Sequence, residues 1–168
     1  MRKLSTSALI TLIGCVAIAG WVHAQQRSPR AGTLTAQDRD EIQELQARYN
    51  QGTDFDDVAM FMSVWTDDAV FKAGPKLELV GRKALEEWRT TANAGRKKSN
   101  APPRRHFNSS LIITPTPEGA KGRVYWFLMD VSGKEPRIYG SGYSDDTFVK
   151  ASNGWRIKTR VDHNDPGE

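Results

Sequence analysis

Hydrophobic positions in the first half of the chain recur at helical spacing. Ile42, Leu45 and Tyr49 follow at i, i+3 and i+7 and predict an apolar stripe along a first helix. The segment Thr35–Asp38 precedes the stripe and has the pattern of a capping box, which marks a helix start. We therefore expect a helix that begins there and ends at Gly52.

The same spacing continues in two further helices. We predict a second, shorter helix that begins at Asp54 or Asp56 and places Trp65 on its buried side. A third helix is predicted over Arg82–Thr91. The segment Ala94–Pro103 contains glycine, prolines and a basic run, so we expect it to be the least ordered internal part of the domain.

Strand patterns dominate the rest of the chain. A short hairpin is predicted from Ala69–Phe71 and Leu77–Val80, after a turn at Thr66–Asp68. Four longer segments rich in β-branched and aromatic residues follow, at Arg104–Thr114, Gly122–Val131, Arg137–Val149 and Gly154–Asn164. Because no helix separates these four, they predict an antiparallel meander. Helices followed by strands indicate the α+β class, with the helices on one face of the sheet.

The N-terminus has the pattern of a secretory signal peptide. Arg2 and Lys3 precede the apolar stretch Ala8–Val22, and small residues then predict cleavage before Gln25. An alternative is a lipoprotein box that ends at Cys15, but the apolar residues that follow this cysteine disfavour it. We expect an exported protein, periplasmic or secreted, with a signal peptide at 1–24, a disordered leader at 25–33 and one folded domain at 34–164.

Charge and cysteine content exclude several classes of function. The formal net charge is +4, with 24 basic and 20 acidic residues, so no basic field favours nucleic acid. The N-terminal apolar stretch is shorter than the ~20 residues of a membrane span. The only cysteine lies in the predicted signal peptide. The folded domain is therefore expected to be stabilised by packing without disulfides.

His106 is the first candidate for chemistry, because it lies within a predicted strand. Strict alternation places His106, Asn108, Ser110 and Ile112 on one face, as in the floor of a polar pocket. The alternative is a structural histidine, half exposed and bonded to a neighbour. His163 falls on the same face of the last strand as its apolar residues if alternation is strict, and we assign it no role. Two distant histidines without a ligand cluster do not predict a metal site.

Tyr49 and Asp54 are the second pair of candidates. Tyr49 lies near the end of the first helix and Asp54 lies just beyond the predicted turn, so both can point into one cavity. The alternatives are a core role for Tyr49 and an N-cap role for Asp54, worth ~1 kcal/mol without catalysis. Asp56 could take the capping role instead, and the sequence does not choose between the two aspartates.

Aromatic residues are numerous for one small domain. Most of them fill the core, but a curved sheet covered by helices can also present rings to a cavity that binds a flat hydrophobic molecule. We expect Trp65, Phe71, Trp126 and Tyr143 to be the substrate-binding rings.

Several segments, taken in order, resemble the SnoaL-like branch of the nuclear-transport-factor-2-like superfamily. They are Leu45–Asp57, Val64–Phe71, Gly81–Trp88, Arg105–Ile113 and Tyr139–Arg160. The resemblance implies a cone-shaped α+β barrel, in which N-terminal helices pack on a strongly curved antiparallel sheet that encloses one pocket. It also implies a homodimer or homotrimer.

Within that superfamily the chain is most similar to the scytalone dehydratase and bile-acid dehydratase type. The resemblance implies that Tyr49, Asp54 and His106 form a catalytic set that needs no cofactor or metal. His106 would then remove a proton beside a carbonyl, Asp54 would orient the ring, and Tyr49 would donate to the carbonyl oxygen.

The leading hypothesis is an exported lyase or isomerase that acts on a hydrophobic carbonyl compound of steroid, polyketide or phenol type. The alternative is a non-catalytic module of the same fold that binds a small molecule or serves in assembly. The two differ in whether Tyr49, Asp54 and His106 converge on a cavity or Asp54 caps a helix.

Overall fold

The computed structural model describes residues 32–166, which contain three helices and six strands. These elements are α1 (Ala36–Asp54), α2 (Val58–Ser63), β1 (Trp65–Ala73), β2 (Leu77–Val80), α3 (Arg82–Lys98), β3 (Arg104–Thr116), β4 (Gly119–Asp130), β5 (Arg137–Ala151) and β6 (Gly154–Asn164). The predicted signal peptide and most of the predicted leader lie outside the described residues. No helix within 32–166 is long and apolar enough to cross a membrane.

The six strands form one sheet in the order β2-β1-β6-β5-β4-β3. The predicted meander is confirmed, since β3, β4, β5 and β6 pair antiparallel in succession. The sheet is mixed rather than wholly antiparallel, because β1 runs parallel to β6 and carries β2 as an antiparallel partner. With β2 and β3 as free edges the sheet does not close into a barrel. Helices α1 and α3 pack on it, which confirms the α+β class.

α1 begins where the sequence predicts and ends later. Thr35 Oγ1 accepts the backbone N–H of Asp38 at 3.1 Å, and Asp38 Oδ2 accepts the N–H of Thr35 at 2.9 Å, which is the predicted capping box. The expected end at Gly52 is wrong, because the helix continues to Asp54. Gly52 instead allows α2 to approach closely, as a Cβ there would lie 2.5 Å from the backbone nitrogen of Phe61.

α2 begins later than the sequence predicts. Its N-cap is Asp57, whose carboxylate accepts the N–H of Met60 at 2.9 Å, so neither Asp54 nor Asp56 caps it. Asp56 has a positive φ of 56° in the link between the helices. Trp65, expected on the second helix, is the first residue of β1. The residues 66–68, expected as a turn, lie in an irregularly paired part of the same strand.

α3 is longer than predicted and includes residues 94–98, which were expected to lack order. Arg89 Nε donates to Asn93 Oδ1 at 2.8 Å, and Asn93 Nδ2 donates to the carbonyl oxygen of Asp56 at 3.0 Å. The basic residues Arg96–Lys98 form the last turn, where the helix dipole favours positive charge. These contacts offset the cost of Gly95 within the helix, ~1 kcal/mol relative to alanine.

Two β-bulges change which side chains face the helices. In β3 the pairing slips between Ser109 and Ile112, and Ser110 has a φ of 56°. The expected alternation is wrong beyond this point: Ile112 is 70% exposed, while Ile113 packs against the core. His106 and Asn108 precede the bulge and face the helices, as predicted.

The second bulge lies in β6. Thr147 of β5 pairs with Thr159, but Phe148 pairs with Ile157, so β6 has one extra residue between them. Beyond it the even-numbered positions Arg160 and Asp162 face the helices. His163, whose parity suggested an inward side chain, faces away from them.

The core lies between the helices and the sheet. Its buried hydrophobic residues are Ile42, Leu45, Tyr49, Phe61, Met62, Val64, Trp65, Ala69, Phe71, Leu85, Ala120, Phe148, Trp155 and Ile157. All three positions of the predicted stripe on α1 belong to it, which confirms the helical periodicity. Polar side chains of β3, β5 and β6 lie beside this core, near the end of α1.

Candidate active site

The carboxylate of Asp54 holds His106 at two points. Asp54 Oδ1 lies 2.5 Å from Nδ1 of the imidazole, and Oδ2 accepts the backbone N–H of His106 at 2.8 Å. The Asp54 side chain is only 4% exposed. It reaches β3 from the last position of α1 because Asp57 caps α2 in its place. The two residues therefore form a largely buried dyad.

This arrangement defines the two ring nitrogens of His106. A carboxylate at Nδ1 only accepts hydrogen bonds, so the hydrogen-bond network assigns the proton to Nδ1. Nε2, on the other side of the ring, is then the basic nitrogen. A histidine oriented in this way can accept a proton at Nε2 while the carboxylate stabilises the imidazolium that forms.

His106 lines a cavity of about 120 Å³ between the helices and the sheet, which we call the inner cavity. Its wall consists of Tyr49, Asn50, Ala73, His106, Asn108, Trp126, Leu128, Ser144, Arg160, Asp162 and Asn164. Most of these side chains are polar, in contrast to the aromatic wall expected from the sequence. A cavity of ~150 Å³ can hold a benzene ring, whereas complete ligand pockets measure ~300–1,000 Å³. At about 120 Å³, the inner cavity is therefore slightly smaller than a cavity that holds benzene.

Tyr49 belongs both to the core and to the cavity wall. Its ring packs against Phe61 at 5.3 Å and Trp65 at 5.9 Å between centroids, and the guanidinium of Arg160 lies 4.0 Å from its centroid. Burial raises the pKa of the Tyr49 phenol well above its usual range, and the negative charge of Asp162 adds to this effect. The phenol is therefore a proton-bearing hydrogen-bond donor at any physiological pH.

A buried hydrogen-bond network supports this wall. Arg160 donates to both oxygens of Asp146, at 2.8 Å from Nε and 2.7 Å from Nη2, and its Nη2 also donates to Gln46 Oε1 at 2.5 Å. Gln46 Nε2 donates to Asp146 Oδ2 at 2.7 Å, and Asn108 Nδ2 donates to Gln46 Oε1 at 3.2 Å. Burial opposes the charge of Arg160, but Asp146 outweighs it and raises the pKa of the guanidinium.

The network extends from α1 to three strands, and the sequence analysis missed it. The sequence features that could have indicated the network are Gln46, beside the apolar stripe of α1, and the charged residues Asp146 and Arg160, within strongly β-forming segments. Charged side chains are almost never fully buried unless they are paired. A buried pair can therefore be identified only once the register of the strands is known.

Asp162 is another wall residue that the sequence analysis missed. It is opposite Ser144 in the β5–β6 pairing, and Ser144 Oγ donates to Asp162 Oδ1 at 2.6 Å. Burial raises the pKa of the Asp162 carboxyl, against the opposing effects of the Arg160 charge and the Ser144 hydrogen bond. The β6 bulge explains the omission, because strict alternation placed His163 rather than Asp162 on the inner face.

The four aromatic residues expected to bind substrate lie in different places. Trp126 lines the inner cavity, and its indole Nε1–H is buried without a hydrogen-bond partner. Trp65 and Phe71 are core residues that pack on each other at 6.0 Å between centroids and do not reach the cavity wall. Tyr143 lies on the opposite face of the sheet, stacked on His163 at 4.5 Å.

A larger outer groove, about 580 Å³ in volume, lies between α1 and β3. Asp54, Phe55, Arg105 and Phe107 contribute to its wall. Asn50, His106 and Asn108 line both the groove and the inner cavity. Tyr49, Arg160 and Asp162 line only the inner cavity, so we place the chemistry there and regard the groove as adjoining space.

The part of the chain that the structure describes offers no metal centre. Within residues 32–166, no group of three or more histidine, cysteine, aspartate or glutamate side chains is arranged to hold a metal ion.

Comparison with known proteins gives one family. The SnoaL-like domain pattern matches residues 34–161, which is most of the chain. A search of proteins with curated functions gave no match.

Solved structures of the same fold cover most of the chain. A protein of unknown function from Mycobacterium tuberculosis is 26% identical, covers 74% of each chain and has a TM-score of 0.63. An NTF2-like protein with a cystatin-like fold from Novosphingobium aromaticivorans is 22% identical, with a TM-score of 0.69 over 79% of this chain and 84% of its own. A structure from Catenulispora acidiphila in complex with S-DNPA is 20% identical, with a TM-score of 0.64 over 77% and 95%.

Proposed function

Because the chain belongs to the SnoaL-like domain family, we propose that it is a cofactor-independent lyase or isomerase that acts on a small carbonyl compound. The observation that carries this proposal is the Asp54–His106 dyad at 2.5 Å, whose histidine lies on the wall of a cavity that Tyr49 also lines. A positioned base and a proton-bearing donor around one small cavity are the requirements for removing a proton beside a carbonyl group.

The base in this proposal is His106. Its Nε2 accepts the proton from the carbon beside the carbonyl, and Asp54 stabilises the imidazolium through Nδ1–H. Because the same carboxylate also accepts the backbone N–H of His106, it fixes the imidazole ring relative to its strand. General-base catalysis of this kind contributes roughly 10²–10⁴-fold to a rate.

The electrophilic donor is Tyr49. Its phenol keeps its proton because burial raises its pKa, so it can donate to the carbonyl oxygen as negative charge develops there. The guanidinium of Arg160, 4.0 Å from the centroid of the Tyr49 ring, adds positive charge close to the same place. Donors that are fixed before reaction stabilise an enolate more effectively than water does, because they need not reorganise.

The size and polarity of the cavity narrow the substrate class. About 120 Å³ is slightly less than the volume of a cavity that holds benzene, so a ring with oxygen substituents must extend into the outer groove beside Asn50 and Asn108. The unpaired indole N–H of Trp126 favours a second acceptor oxygen on the substrate, since an unsatisfied buried donor costs ~1–3 kcal/mol. A hydroxylated cyclic ketone or phenol-like molecule satisfies both conditions.

We further propose export and self-association. Export rests on the signal-peptide pattern of residues 1–24 and predicts a mature protein that begins at Gln25.

Self-association rests on exposed hydrophobic side chains on β3, β4 and β5, namely Phe107, Ile112, Tyr125, Phe127, Ile138 and Tyr139. Light scattering of the parent and of Tyr125→Glu tests it: a dimer that the substitution dissociates supports the sheet face as the interface, and a monomeric parent contradicts it.

The catalytic proposal is tested by dehydration of single-ring β-hydroxy ketones, beginning with 3-hydroxycyclohexanone, whose product is a conjugated enone with a new ultraviolet absorbance. The parent protein should form the enone, and His106→Ala should lose that activity. His163→Ala is the matched control, because it removes a half-exposed histidine from the opposite face of the sheet. If the parent binds these ketones, as measured by intrinsic tryptophan fluorescence, but converts none of them, the chain is a binding protein.

A further inference from the structure

A second carboxyl group faces the same cavity and has no role in the base step. Asp162 lies on the inner face of β6 and lines the inner cavity together with Tyr49 and His106. Its Oδ1 accepts the hydroxyl of Ser144 at 2.6 Å, which fixes the side chain and leaves Oδ2 for another partner. In Asp54, by contrast, both carboxylate oxygens contact His106, one at the ring and one at the backbone N–H. The two carboxyl groups therefore have different environments.

We propose that Asp162 is a second catalytic residue, the general acid that protonates the departing hydroxyl group of a β-hydroxy carbonyl substrate. The inference rests on the proposed function and adds a residue to it. It divides the work between two groups on the cavity wall: His106 acts on the carbon beside the carbonyl, and Asp162 acts on the oxygen one carbon further away.

The proton balance of this step is complete without any co-reactant. His106 Nε2 takes the proton from the carbon beside the carbonyl, and that electron pair forms the new carbon–carbon double bond. The carbon–oxygen bond breaks, and the proton of the Asp162 carboxyl leaves with the hydroxyl as water. The imidazolium then returns its proton to the Asp162 carboxylate, directly or through the released water, and both groups regain their starting states.

The surroundings of Asp162 shift its carboxyl group toward the protonated form. Burial raises its pKa, and the charge of Asp146 on β5 acts in the same direction. Arg160 on β6, Ser144 on β5 and the charge of His106 on β3 oppose this shift without cancelling it. From β1 only the uncharged Ala73 is its partner, and from α1 the neighbouring titratable group is Tyr49.

A buried carboxyl group with a raised pKa is a recurrent general acid in enzymes. The same pKa shift determines how the stability of the folded state depends on pH. Because folding raises the pKa of Asp162, the folded state favours the protonated form, and stability falls as the pH rises from the ordinary carboxyl range through the raised pKa. Asp162→Asn should thus be at least as stable as the parent at neutral pH, and urea unfolding of the variant checks this.

The test separates the two proton transfers in one substrate. In D₂O, NMR of 3-hydroxycyclohexanone reports hydrogen exchange beside the carbonyl, and ultraviolet absorbance reports elimination of water. Asp162→Asn should keep the exchange and lose elimination by roughly 10²–10⁴-fold. With 3-acetoxycyclohexanone, whose leaving group needs no proton, the same variant should eliminate at close to the parent rate. His106→Ala should lose exchange and elimination with both substrates.

Asp145→Asn is the matched control, because it removes a half-exposed carboxylate of the adjacent strand that faces away from the cavity. It should behave as the parent in both assays. If Asp162→Asn eliminates water as fast as the parent, or loses exchange and elimination equally, the acid role is wrong and the proposed function stands. If the parent catalyses neither exchange nor elimination, the proposed function and this inference fail together.

Discussion

Asp54 and His106 are 52 positions apart in the chain, yet Asp54 Oδ1 lies 2.5 Å from the imidazole Nδ1 of His106. The contact depends on where two helices end and begin. α1 runs through Asp54, and Asp57 provides the N-cap of α2, so the carboxylate of Asp54 is left to bind the sheet. Two aspartates three residues apart thereby have different roles, one at the site and one in the fold.

Substitution of Asp54 should affect catalysis, whereas substitution of Asp57 should affect stability. Asp54→Asn removes the charge that orients and stabilises His106, so we expect kcat to fall by roughly 10²–10⁴-fold. Asp57→Ala should leave kcat unchanged and lower the free energy of unfolding by about 1 kcal/mol through loss of the N-cap. Steady-state kinetics and urea unfolding of both variants check this. Equal kinetic losses in the two variants would contradict the separate roles.

Tyr49→Phe should affect catalysis much more than stability. The phenylalanine ring keeps the contacts with Phe61 and Trp65, so the free energy of unfolding should change by no more than about 1 kcal/mol. The missing hydroxyl should lower kcat, because the carbonyl oxygen loses its donor. Since burial raises the pKa of Tyr49, an absorbance titration of the folded parent should show one tyrosine that stays protonated above the usual pKa range of a phenol. Ionisation of all tyrosines together would be the contrary result.

The fold could be predicted from sequence where local signals act alone. The capping box at Thr35 and the stripe of Ile42, Leu45 and Tyr49 state the position and buried face of α1. The four strands after Arg104 lie within a few residues of their expected limits. Helix ends were predicted less well, because Gly52 was interpreted as a stop signal and serves instead for close packing against α2.

The candidate site could be predicted only in part. Resemblance to a family suggested Tyr49, Asp54 and His106, and the structure brings all three to one region. Asp162 and Arg160 could not be assigned, because one extra residue in β6 reverses the alternation before them. Tyr143 was expected in the pocket on composition, and composition does not state which face of a strand a ring occupies.

Asp38 links α1 to the sheet and makes stability depend on pH. Its Oδ1 accepts from Lys150 Nζ at 2.6 Å and from Trp155 Nε1 at 2.9 Å. The Lys150 contact, with those of Trp155 and Thr35, lowers the pKa of the carboxyl below its ordinary value of 3.8. The folded state therefore favours the ionised form. This stabilisation is present above the ordinary pKa and is lost as the pH falls below it.

Asp38→Asn should accordingly destabilise the protein at neutral pH, and the difference from the parent should shrink in acid. Urea unfolding at neutral pH and near pH 3 measures both values. The matched control is Asp40→Asn, an exposed position on the same helix. A difference between Asp38→Asn and the parent that stays constant with pH would show that the carboxyl charge does not carry the effect.

Among the ion pairs described above, the pair of Asp146 and Arg160 should cause the largest loss in the free energy of unfolding when it is broken. Its side chains are 0% and 1% exposed, so Asp146→Ala leaves a buried guanidinium without its carboxylate. We expect a loss of about 3–5 kcal/mol. Arg123→Ala breaks the Arg123–Asp145 pair, which is 55% and 40% exposed, and should cost less than about 1 kcal/mol. Similar losses in the two variants would contradict the distinction.

Base catalysis at His106 is measured most directly by hydrogen exchange beside a carbonyl that cannot undergo elimination. Cyclohexanone in D₂O, followed by NMR, isolates this proton transfer. The parent and His163→Ala should accelerate the exchange above the buffer rate to the same extent, and His106→Ala should lose the acceleration by at least about 10²-fold. Exchange that persists in His106→Ala, or a parent protein no faster than buffer, would show that His106 is not a catalytic base.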